Sequence, residues 1–78
     1  MVTSVEILEA LAKQPRLPTK LAQICNINYV RLAEFLTPLE SKGYVKRQVI
    51  DGHEVIAITS EGLNFDHQWQ ELRMKFPT

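Results

Sequence analysis

The pair Asp51-Gly52, set between two β-branched runs, restricts the fold of this sequence more than any other feature. Tyr44-Val45-Lys46-Arg47-Gln48-Val49-Ile50 precedes it and His53-Glu54-Val55-Ile56-Ala57-Ile58 follows it. A two-residue hairpin turn needs positive φ, and Asp-Gly supplies it at little steric cost. A lone hairpin is marginal in water and must lay one face on something else. The rest of the 78-residue chain has helical spacing. The expectation is a mainly α domain with one β-hairpin, built round a single core.

Punctuation divides the helical part. The first helix is predicted from about Ser4 to Gln14, with Thr3 or Ser4 as N-cap and Glu6 in the first turn. Its inward positions are Val5, Leu8, Leu11 and Ala12, with Ile7 beside them, and Pro15 stops it. Arg16-Leu17-Pro18 is extended, because a residue before proline avoids the helical region. A short second helix follows, capped by Thr19 and running from Lys20 to Cys25, with Leu21, Ile24 and Cys25 inward. Asn26-Ile27-Asn28 is a turn, and Asn28 caps the third helix. That helix turns Tyr29, Leu32, Phe35, Leu36 and Leu39 to the core and ends at Lys42-Gly43. Pro38 lies within it, so a kink or an early end near Thr37 is expected. After the hairpin, Thr59 or Ser60 caps a last helix, with Leu63 on the core. Phe65, Trp69, Leu72 and Phe76 form a narrow seam along it.

Helix, short helix, longer helix, hairpin, helix is the order of a winged helix-turn-helix: a three-helix core, a two-stranded wing and a C-terminal helix. Residues 1–62 are taken as the winged-helix domain and 63–78 as a C-terminal helix with two readings: it folds back onto the first helix and closes the core, or Phe65, Trp69, Leu72 and Phe76, exposed on a monomer, pair two copies. The residues carry a resemblance as well. Thr19-Lys20-Leu21, Asn26-Ile27-Asn28-Tyr29, Leu32, Phe35-Leu36, Leu39 and Lys42-Gly43-Tyr44-Val45 resemble the winged helix-turn-helix of small archaeal-type transcriptional regulators. Ile58-Thr59-Ser60-Glu61-Gly62 resembles their leucine-threonine-x-x-glycine passage from wing to last helix. The group includes ten-kilodalton chromatin-type proteins that dimerise through a C-terminal antiparallel coiled coil. The resemblance implies DNA binding by a homodimer. The last helix here is shorter than that of the family, and Pro38 interrupts the recognition helix.

Nine Lys and Arg balance nine Asp and Glu. Zero net charge excludes a chain-wide electrostatic coat on nucleic acid. The distribution is uneven, however. Residues 1–15 carry Lys13 against Glu6 and Glu9, net −1. Residues 16–48 carry Arg16, Lys20, Arg31, Lys42, Lys46 and Arg47 against Glu34 and Glu40, net +4. Residues 49–78 carry Arg73 and Lys75 against Asp51, Glu54, Glu61, Asp66 and Glu71, net −3. The positive stretch coincides with the reading unit, where phosphate contacts orient a helix before base edges are read. On the third helix the outward candidates are Asn28, Val30, Arg31 and Glu34. Arg31 can bridge guanine O6 and N7, and Asn28 can reach adenine or a phosphate. Lys20 and Gln23 on the second helix, and Lys46, Arg47 and His53 on the wing, are placed to meet the backbone or the minor groove.

Enzyme chemistry has no constellation here. His53, His67 and Cys25 are scattered, so neither a zinc site nor a nucleophile–base pair is expected. No cofactor motif or effector site is evident. Cys25 reads as a buried, inert thiol. No run approaches a membrane span, the start lacks signal-peptide features, and one cysteine cannot make an internal disulfide. The expectation is a cytoplasmic protein, nucleoid-associated if it binds DNA. Two functions fit: a sequence-specific transcriptional regulator on double-stranded DNA, or a winged-helix protein-interaction module that never meets DNA.

Overall fold

The structure, a computed structural model, describes residues 4–75. The chain runs α1 (Ser4–Lys13), α2 (Pro18–Cys25), α3 (Tyr29–Ser41), β1 (Val45–Ile50), β2 (His53–Ile58) and α4 (Ser60–Lys75). The winged-helix order is present, and Thr3, the alternative cap of α1, lies outside the described residues. Ile7, Leu8 and Leu11 of α1, Leu21 of α2, Leu32 of α3 and Ile56 of β2 are fully buried. They put the core where three helices meet the inner face of the wing. Ile7 is a central core residue rather than a neighbour of one, while Val5 and Ala12 are half-buried.

α2 begins two residues earlier than the Thr19 cap implied. Leu17 is the N-cap, without a side-chain hydrogen bond, and Pro18 is the first helical residue. Proline is favoured there, since its missing N–H would have no helical partner anyway. Arg16 is extended as expected and exchanges backbone hydrogen bonds with Ile56, laying a short third ribbon against β2. The inner stripe of α2 is Leu21, Ala22 and Cys25. Ile24, expected inward, is exposed because it lies about 100° round the helix from that stripe.

Asn26 stops α2 with φ 58° and ψ 46°, a left-handed conformation that asparagine tolerates. Asn28 then caps α3, its Oδ1 accepting from the Arg31 N–H at 2.8 Å. α3 runs through Pro38 without ending near Thr37. The ring lies on the exposed side, so proline removes one hydrogen bond, to Glu34 O, without disturbing the buried Leu32, Leu36 and Leu39. The helix closes with Gly43 at φ 78°. Tyr44 N–H donates to Leu39 O and Gly43 N–H to Glu40 O, the paired bonds of a Schellman stop. Tyr29, expected in the core, is exposed. It stands at the first position of α3, and Ile27 from the turn packs on the core there.

β1 and β2 pair antiparallel, with Val45 opposite Ile58 and Ile50 opposite His53. Asp51 and Gly52 have φ 52° and 79°, as a type I′ turn requires. The base of the hairpin is fixed by Thr59. Its N–H donates to Tyr44 O, and its hydroxyl donates to Gly43 O while accepting from Gly62 N–H at 3.1 Å. Thr59 is therefore the cap of α4. Gly62 is needed because a Cβ there would lie 2.2 Å from Tyr44 O. With Gly62 taking the inner seat, Leu63 is displaced outward and exposed, contrary to expectation.

Candidate nucleic-acid interface

α2 and α3 present one polar surface. Lys20 and Gln23 of α2 are exposed, as are Asn28, Val30, Arg31 and Glu34 at the start of α3. Val30, Arg31 and Glu34 share one face of α3, and Asn28 stands at its N-cap. Asn28 has its carbonyl oxygen engaged in capping, which leaves its amide N–H groups for any outward contact. Arg31 donates from Nη1 to Glu34 Oε2 at 2.8 Å, and its guanidinium lies 5.0 Å from the centre of the Phe35 ring. Both members of the pair are 58% exposed, a setting in which such a bridge is worth about 0.2–1 kcal/mol. A phosphate or a guanine edge can therefore compete for Arg31.

The wing does not gather its three candidates on one side. Strand alternation and register put Lys46 and His53 on one face and Arg47 on the other. Arg47 is held at two points: to Glu40 of α3 at 3.0 Å and to Glu54 of β2 at 2.8 Å. These bonds, that to Glu54 first, raise its pKa above the ordinary arginine value. Arg47 braces the wing against α3. Among the described residues Lys20, Lys42 and Lys46 make no ion pair.

Three exposed residues on this surface were missed from the sequence: Tyr29, Thr37 and Ser41. Counting from Val30 in steps of four, three and four reaches Glu34, Thr37 and Ser41, so helical spacing could have found the last two. Tyr29 carried the opposite signal, three residues ahead of buried Leu32.

The seam of α4 divides in two. Phe65, expected to be exposed, is half-buried against the core and stacks on Tyr44 with ring centres 5.2 Å apart. Trp69 lies beside α1 near Val5 and Glu9 and stays partly exposed, and Leu72 is exposed. Phe76 lies outside the described residues. Arg73 bridges to Glu9 of α1 at 3.0 Å. Cys25 is buried, as expected, and its thiol pKa is raised, first by desolvation and then by the Glu6 carboxylate. No group of His, Cys, Asp or Glu among the described residues is arranged to hold a metal. No helix among them is long and apolar enough to cross a membrane.

Solved structures share this architecture. The transcriptional regulator BldR from Sulfolobus solfataricus superposes with a TM-score of 0.83 at 23% identity, over 92% of this chain and 54% of that one. The transcriptional regulator Tm0710 from Thermotoga maritima gives 0.85 at 21%, over 94% and 54%. A mutant MarR from E. coli complexed with operator DNA gives 0.82 at 20%, over 90% and 53%. The chain thus spans about half the length of each, and the likeness is one of fold. No curated protein matches the sequence. The winged helix-turn-helix family profile matches residues 3–76, nearly the whole chain, and the chain belongs to that family.

Proposed function

We propose that this chain is a DNA-binding transcriptional regulator that sets α3 in the major groove and lays the wing on the neighbouring backbone. The observation that carries the reading is the outer face of α3. It is exposed, begins at a capped N-terminus and follows the outer side of α2, which carries Lys20 and Gln23. The mutant MarR complexed with operator DNA has the same fold, which supports the analogy. Arg31 and the Asn28 amide are the base or phosphate contacts, with Val30 and Glu34 bordering them. Lys20, Gln23, Lys46 and His53 touch the backbone, and Arg47 acts by setting the wing angle. Trp69 and Leu72 on α4 pair two copies, with Phe76 beyond and Phe65 anchoring the helix at its root. Two half-sites then match the two-fold axis. The protein works in the cytoplasm, on the nucleoid.

Fluorescence anisotropy with a duplex library across a salt series tests this. The expected result is binding whose log K falls with log salt at a slope near −4, and a loss of about tenfold or more in Arg31→Ala. Salt-insensitive binding, or an Arg31→Ala variant equal to wild type, would sink it. The exposed Tyr29 and Val30 support a second reading, a protein-interaction surface on α3. Under that reading Val30→Asp abolishes capture of a protein partner while DNA affinity is absent throughout.

A further inference from the structure

We infer that Glu34 reads a cytosine, accepting a hydrogen bond from its N4 amino group beside the guanine that Arg31 holds; this rests on the reading of α3 as the helix in the major groove. Val30, Arg31, Glu34, Thr37 and Ser41 are all exposed on one side of α3. At about 100° per residue, Thr37 and Arg31 mark the two edges of that arc and Glu34 stands midway, roughly 60° from each. A helix docked by this face turns Glu34 towards the floor of the groove, where the base edges are, and away from the phosphates at the rim. A carboxylate there loses water and needs donors in its place. It is the wrong charge for the backbone, so a surface that met phosphates alone would gain nothing from it.

Arg31 supplies one donor, from Nη1 to Glu34 Oε2 at 2.8 Å, which leaves Oε1 for a donor on the DNA. The major groove offers two, the amino groups of cytosine N4 and adenine N6. Adenine sets its N7 acceptor beside that amino group, and an acceptor repels a carboxylate. Guanine presents O6 and N7, and thymine O4 and a methyl group, so neither edge has a donor. Cytosine alone shows a donor without an acceptor. Arg31 is held ready for the neighbouring guanine. Its guanidinium lies 5.0 Å from the centre of the Phe35 ring, and Phe35 packs on the core, so the ring is a fixed platform. With Nη1 engaged by Glu34, the N–H groups of Nε and Nη2 remain for guanine O6 and N7. Acceptor and donor thus stand side by side on α3 as cytosine N4 and guanine O6 do on two neighbouring G·C pairs. The pair has no net charge, so what it contributes is discrimination between sequences rather than attraction to all of them.

Selection from a random duplex library by the full chain, followed by anisotropy on duplexes that differ at one base pair, tests the assignment. Wild type is expected to select a guanine with a cytosine edge on the adjacent pair, and to lose about tenfold when that C·G pair becomes T·A. Glu34→Gln is expected to move the preference at that pair to adenine, whose N6 and N7 suit a glutamine amide, and to keep the guanine. Glu34→Ala should flatten the preference at that pair alone. Both side chains of the pair are 58% exposed, so these substitutions leave the core untouched. A wild type that binds no duplex at low salt overturns the DNA reading and the cytosine assignment together. A wild type that binds but selects no cytosine beside its guanine overturns the assignment and leaves DNA binding standing. So does a Glu34→Gln variant that selects the wild-type sequence, or a Glu34→Ala variant that binds every duplex more tightly with its preferences intact.

Discussion

The two halves of α4 are made of similar residues and live in different worlds. The first half is fixed at its root. Thr59 caps it and ties it to Gly43, Gly62 presses against the Tyr44 carbonyl, and Phe65 stacks on the Tyr44 ring. The second half has Trp69 beside α1 and one surface ion pair from Arg73 to Glu9. Leu72 is exposed there, and Met74 is 81% exposed. The first half belongs to the domain. The second carries Trp69, Leu72 and Met74 partly or fully exposed among polar residues, and exposed large apolar side chains are what an interface uses.

Substitutions should separate the halves. The largest effect is expected from Gly62→Ala, whose methyl would collide with the Tyr44 backbone. It should cost about 3 kcal/mol or more in urea unfolding. Thr59→Ala should cost about 1–2 kcal/mol in the same measurement, since it removes a cap and leaves Gly43 O without its hydroxyl donor. Trp69→Ala should change unfolding of the dilute protein far less, yet shift sedimentation from dimer towards monomer. A monomeric wild type, or equal mass in both, would reduce the distal half to ordinary surface. Arg73→Ala should be the mildest, within about 0.5 kcal/mol, because its bridge is exposed. If it rivals Thr59→Ala, the distal half is bound to the domain as firmly as the root.

Cys25 offers a test by pH on the fixed core beneath. Its thiol pKa is raised above the ordinary 9.0 in the folded chain. Above that value the unfolded chain releases its proton while the folded chain retains it. Stability is therefore full below about pH 9 and falls as pH rises towards the folded value. Cys25→Ala should remove that alkaline component of the unfolding curve, whatever its effect on stability at neutral pH.

What could be read from the sequence was what the chain decides over a few residues. The Asn28 cap, the Gly43 stop, the Asp51-Gly52 turn and the Thr59 cap each use side chains and backbone within one turn of each other. The inward face of α3 was legible at Leu32, Leu36 and Leu39 for the same reason. Positions decided by packing between elements were not. Ile24 is turned out because Ala22 and Cys25 define the inner stripe of α2, and Leu63 because Gly62 needs the seat at Tyr44, while Tyr29 is exposed at the very start of α3. The brace at Arg47 was half legible. Once the turn fixes the register, Arg47 faces Ile56 and has Glu54 as its diagonal neighbour on the same face. Only the docking of α3 brings Glu40 to the same guanidinium. The burial of Asp66 gave no local signal at all, since a carboxylate on a polar-looking helix reads as solvated surface.

The stapled base of the hairpin has a consequence for how this domain could change over time or be re-engineered. Thr59 closes the chain back on residues 43 and 44, so everything between is an excursion whose two ends are clamped together. Adding one residue pair to each strand at the tip would lengthen the wing by roughly 7 Å and return the same side chains to the same faces. Neither α3 nor α4 would have to move. The wing is thus an adjustable appendage on an inflexible mount. Its length, charge and tip chemistry can be exchanged as a cassette, provided that Gly43, Tyr44, Thr59 and Gly62 travel with it.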